Sequence, residues 1–114
     1  MRTAADHRAD VAKHMLEADL QSKVLRLARD LGYELTYHTH DSRRSNPGFP
    51  DLVLLSMRRG RLLYRELKTE RGQVSPDQRR WLIALRDVGA DAGVWRPTDL
   101  LDGTILRDLT GGTR

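Results

Sequence analysis

The chain has 114 residues, room for one domain and one core, and its 39% hydrophobic and 32% charged content is that of a globular protein, not a disordered one. With no cysteine, it has no disulfide, zinc ribbon, iron–sulfur ligand or thiol nucleophile, and no apolar run nears the roughly 20 residues that a membrane span needs. Lys and Arg number 20 against 16 Asp and Glu, a formal charge of +4, and that balance favours polyanionic partners because basic side chains neutralise phosphates and release counterions.

Residues 1–10 read as a loose lead-in without the apolar core of a signal peptide, and the expected setting is cytoplasmic. From Val11 to Leu31 the spacing predicts one helix. Leu16, Leu20, Val24, Leu27 and Leu31 recur in steps of three and four and form a stripe, with Asp19, Lys23, Arg26 and Asp30 opposite and Gly32 as the stop. Residues 33–40, "YELTYHTH", have strand composition, and "DSRRSNPG", residues 41–48, is a polar turn-rich loop.

"DLVLLSM", residues 51–57, predicts a strand apolar enough to be buried on both faces. After the turn "RRG", the segment "RLLYRELK", residues 61–68, predicts its hairpin partner. A helix follows, with Ser75 as N-cap, Pro76 in first position and Gly89 near its end. Residues 92–97 form a fourth strand, residues 98–109 fit either a short helix or a last strand, and residues 110–114 form a frayed tail. Helices flanking a mixed four-stranded sheet make an α/β fold, one domain over residues 11–109.

Residues two apart on a strand share a face, so Glu66 and Lys68 project together. The hairpin puts Asp51, at the start of one strand, roughly opposite them. Two readings of this trio stand side by side. One is a solvated strand end with a Glu–Lys pair. The other is a site for a hard divalent cation, which prefers oxygen ligands, with a lysine to orient water or stabilise a phosphoryl transition state.

Glu17 borders the apolar stripe of the first helix and fits either a boundary glutamate or a metal ligand. Gln78 completes an S-x-x-Q capping box but also lies among Trp81, Leu82 and Leu85, where a polar side chain needs partners. Arg43, Arg44 and Asn46 in the loop, and Arg79 on the later helix, suit DNA phosphates or a solvated surface. Arg58, Arg59 and Arg61 read as solubilising, Trp81 and Trp95 as core. His38 and His40 lack a third zinc ligand.

Pro50-Asp51, fourteen residues, then Glu66-Leu67-Lys68 resembles the signature of PD-(D/E)XK nucleases. With Glu17 and Gln21 on the first helix, Gly48 before Phe49-Pro50, and Gln78 after the lysine, the chain from Glu17 to Trp95 more narrowly resembles the VRR-Nuc (virus-type replication–repair nuclease) branch. The resemblance implies a restriction-endonuclease-like core and metal-dependent hydrolysis of DNA. Asp51, Glu66 and the Leu67 carbonyl would ligate Mg²⁺, with Mn²⁺ able to substitute. Glu17 would join directly or through water, Lys68 would position the attacking water, and Gln78 would support the site. It also implies a homodimer and a structure-selective role in replication, recombination or repair. Two alternatives are an idle nucleic-acid-binding module and a nuclease subunit of a larger complex.

Overall fold

A computed structural model describes residues 1–39 and 46–111. The lead-in expected over residues 1–10 is instead helical from its fourth residue. Helix α1 spans Ala4–His14, and Thr3 starts it with a capping box: its hydroxyl accepts the Asp6 N–H at 3.0 Å, and the Asp6 carboxylate accepts the Thr3 N–H at 2.9 Å. The single helix expected over residues 11–31 is broken, because Met15 and Leu16 are extended, and α2 runs over Glu17–Asp30. Leu16 therefore leaves the stripe and stands 65% exposed, while Leu20, Val24, Leu25 and Ala28 are buried.

Strands β1 (Leu35–His38), β2 (Leu52–Ser56), β3 (Arg61–Leu67) and β4 (Asp91–Trp95) form one sheet in that order. The first three pair antiparallel; β4 pairs parallel with β3 after the crossover through α3 (Pro76–Asp87). Residues 98–109 resolve into helix: α4 is Pro97–Leu101 and α5 is Thr104–Thr110.

The core lies on one face of the sheet, where Leu52, Leu54, Leu63, Leu67 and Trp95 meet Leu20, Val24 and Ala28 of α2 and Ile105 and Leu109 of α5. Burial of β2 alternates: Leu52, Leu54 and Ser56 are buried, while Val53 and Leu55 on the second face are only half-buried. The expectation of full burial on both faces fails because α3 packs on β4, at one side of that second face.

Polar side chains inside the core are paired, as burial requires. Arg65, 3% exposed, bonds the Asp91 carboxylate at 2.8 Å, lies 3.7 Å from Asp108, and stacks 4.8 Å over the Trp95 ring. The Trp95 indole N–H donates to Asp108 at 2.9 Å, and the Tyr33 hydroxyl donates to the Leu109 carbonyl at 2.6 Å. Two arginines expected only to solubilise are also structural. Arg61 donates to the Asp108 carbonyl at 2.6 Å and Arg59 to the Leu31 carbonyl at 2.8 Å, which ties the hairpin to both flanking helices. Among the described residues, no helix is long and apolar enough to cross a membrane.

Candidate active site

The β2–β3 register pairs Leu52 with Arg65, so Asp51, one residue before β2, lies opposite Glu66. Asp51 is held from two sides. Its carbonyl accepts the Thr39 N–H at 2.9 Å, at the end of β1, and its carboxylate accepts the Leu67 N–H at 2.9 Å. The turn before it is clamped to α3. Gly48 has φ +88°, and a Cβ there would fall 2.3 Å from the Asp77 carbonyl carbon and 2.7 Å from the Gln78 nitrogen. Only glycine allows both that conformation and that approach.

The Trp81 indole N–H donates to the Pro47 carbonyl at 3.1 Å, and the Phe49 ring packs edge-on against Trp81, centroids 5.1 Å apart. Trp81, expected in the core beside Trp95, is thus a half-buried buttress for the loop that carries Asp51. Glycine at position 48 was the sequence signal for this clamp; the tryptophan's part had none.

Glu66 projects from β3 to the second sheet face, beneath α3, and is 2% exposed. Gln78 fills both roles open to it. Its side-chain oxygen accepts the Ser75 N–H at 2.8 Å as the capping box requires, and its amide nitrogen donates to Glu66 Oε1 at 3.1 Å. One side chain therefore ties the start of α3 to the end of β3.

Burial raises the Glu66 pKa from 4.5 to about 9, aided by a hydrogen bond to the Asp51 carboxyl and by the charge of Asp51; Lys68 opposes the shift and Glu17 adds to it. Glu17 is raised as well, first by burial, then by Asp51, again against Lys68. The first turn of α2, the start of β2 and the end of β3 thus bring Glu17, Asp51, Glu66 and Lys68 into one electrostatic neighbourhood. Glu17 is only partly covered and keeps an exposed side at the helix N-terminus, where the macrodipole works the other way and favours a carboxylate.

The donor set is three carboxylates and a strand-end backbone, hard oxygens suited to Mg²⁺ rather than to a soft metal. Among the described residues, however, no three acidic or histidine side chains converge as a ready-made cage. Burial and the neighbouring Asp51 carboxyl favour a protonated Glu66.

Asn46 and Arg79 are exposed on either side of the Gly48 contact, on the loop and on α3. Arg43, Arg44 and His40 lie outside the described residues. Arg86 turns back to the sheet and donates to the Ala92 carbonyl at 2.8 Å.

The family model of the VRR-NUC domain matches residues 5–98. No curated protein matches the sequence. A solved structure titled "VRR_NUC domain protein" superposes with a TM-score of 0.64 at 19% identity, over 83% of this chain and 90% of that one. A second, titled "VRR_NUC domain", gives a TM-score of 0.54 at 27% identity, over 75% of this chain and 92% of that one. At 19% identity the first neighbour speaks for the fold alone; the family match, covering most of the chain and the whole site, says more. The chain belongs to the VRR-NUC domain family, a nuclease-type domain.

Proposed function

We propose that this protein is a metal-dependent endonuclease that hydrolyses phosphodiester bonds in DNA and selects its substrate by structure (junction, flap or nick) during replication, recombination or repair. The observation that carries the reading is the buried Glu66 carboxyl, aimed at Asp51 and Lys68 and gripped by Gln78. A glutamate so placed has no role in the packing of the core, and its burial is costly in the charged form. Family membership supports the nuclease class.

Asp51, Glu66 and the Leu67 carbonyl would hold Mg²⁺ or Mn²⁺, with Glu17 joining directly or through water. When bound, the cation supplies Lewis acidity, lowering the pKa of a water and offsetting charge on the phosphate. Gln78 holds the Glu66 side chain in one orientation. Lys68 orients the attacking water and stabilises the pentacoordinate phosphorus as the leaving oxygen departs in line. Asn46 and Arg79, with Arg43 and Arg44, would hold the flanking phosphates. A homodimer in the cytoplasm of a bacterial or phage-infected cell would give so small a domain the reach to grip a branched duplex.

A second reading has its own observation. The Asp51–Glu66 pair without a ready-made cage also suits an idle DNA-binding module. One experiment separates the two: cleavage of labelled duplex, single strand, flap, four-way junction and supercoiled plasmid with Mg²⁺, Mn²⁺ or EDTA, by the parent and by Lys68→Ala. Metal-dependent cutting lost in the variant supports the endonuclease. DNA binding without cutting, under every condition, supports the idle module or a subunit that needs a partner.

A further inference from the structure

Arg96 has no part in the signature residues, yet it bonds the segment that follows Lys68 at three carbonyls. Register explains why. Leu67 of β3 lies beside Trp95 of β4, and the Lys68 N–H continues the ladder to the Trp95 carbonyl at 3.1 Å. Arg96 is the next residue along, so it leaves the sheet where Lys68 does. Its guanidinium Nη1 donates to the Thr69 and Gly72 carbonyls, each at 2.7 Å, with the Glu70 carbonyl at 3.4 Å. One cationic head thus gathers the carbonyls of the turn that follows the lysine, in charge-assisted bonds that are stronger than neutral ones.

The backbone of Arg96 is itself fixed. The Asp99 carboxylate accepts its N–H at 2.7 Å, and its carbonyl accepts the Asp99 N–H at 2.9 Å. Glu70 adds a second strut from the same turn, accepting the Thr98 N–H at 3.1 Å and the Thr98 hydroxyl. The turn also closes on the lysine. A Cβ on Gly72 would lie 3.6 Å from Lys68 Cδ and 2.9 Å from the Thr69 hydroxyl. The stem of Lys68 therefore runs along a turn whose shape Arg96 sets.

We infer that Arg96 is a positioning residue for Lys68: it holds the 69–72 turn in the form that directs the lysine at the site. The inference rests on the endonuclease reading. An arginine suits the task because its long stem carries a permanently charged head to the turn, where the single nitrogen Nη1 reaches three carbonyls. Loss of that head lets the turn relax and Lys68 drift, and misplacement on the order of 1 Å costs about a hundredfold in rate.

The test is single-turnover cleavage of a labelled four-way junction and a duplex by the parent, Lys68→Ala, Arg96→Met and Arg96→Lys. Protein is titrated to saturation, and DNA binding is measured separately with Ca²⁺. The expected result is a rate constant at saturation reduced about ten- to a hundredfold in Arg96→Met. Arg96→Lys should be intermediate, and the protein concentration needed for half-saturation unchanged within about twofold. A merely structural role gives a different signature: smaller amplitude from fewer folded molecules, with the parent's rate constant, and that overturns the inference. Parent-like rates in both Arg96 variants overturn it too. If the parent does not cut at all, the endonuclease reading falls and takes this inference with it; if the parent cuts and Lys68→Ala does not, only the Arg96 results decide.

Discussion

Replacing Glu66 by glutamine should make the metal-free protein less sensitive to pH. In the folded chain this carboxyl titrates at about 9, against 4.5 for the ordinary group. Between those values the folded state holds one proton more than the unfolded state, so stability falls as pH rises. The contribution is whole below pH 4.5 and is lost progressively as pH climbs through the folded value. One proton corresponds to about 1.4 kcal/mol per pH unit, or about 3 kcal/mol between roughly pH 5.5 and 8.

Glutamine mimics the protonated acid: it can accept from Gln78 and donate to Asp51, and it cannot titrate. The assay is urea unfolding in EDTA across that range, for the parent and Glu66→Gln. Glu17 is also raised in the parent, so the difference between the two curves reports Glu66 together with its coupling to Glu17. Glu66→Gln should gain about 3 kcal/mol on the parent from the acid end to the alkaline end. Parallel curves would refute the reasoning, because they would mean that Glu66 ionises freely beside Asp51.

Gly48→Ala should destabilise by about 2–4 kcal/mol in urea unfolding, combining the left-handed penalty with an overpacking clash against α3 backbone that cannot swing aside. Ser75→Ala should cost about 1 kcal/mol as a lost cap, whereas Gln78→Ala should cost about 2–3 kcal/mol because it also strips a buried carboxyl of its donor; equal losses would show that the Glu66 contact is idle. Arg65→Met should lower stability by about 3–5 kcal/mol, since it removes a buried cation that pairs with both Asp91 and Asp108, and thermal unfolding would register it directly.

Local patterns gave away the parts of this fold that depend on near neighbours. The Ser75-Pro76 start, the hairpin and the Asp51–Glu66 opposition all follow from capping and period-two alternation, and the structure places them there. The dual bond of Gln78 was open on both sides because the cap and the apolar face each claimed it. What stayed hidden depends on tertiary packing. No glycine or proline marks the break at Met15–Leu16, and the cap of α1 at Thr3 hides in a polar run that resembles a tail. Arg61 reads as solubilising until α5 supplies the Asp108 carbonyl. Likewise, nothing in "WRPTD" announces that its arginine reaches back across the sheet to a turn 24–27 residues earlier.

The hairpin turn at Met57–Gly60 stands at the opposite end of β2 and β3 from the site. Five ladder pairs intervene between them, roughly 17 Å of strand. The two ends of one hairpin are therefore mechanically insulated by the most regular part of the molecule. A fluorophore, an affinity handle or a short inserted peptide at Arg58 should ride there without disturbing Asp51, Glu66 or Lys68, provided that the neighbouring Arg59 keeps its bond to Leu31. That makes the turn a natural point of attachment for tethering the protein in single-molecule work on long DNA.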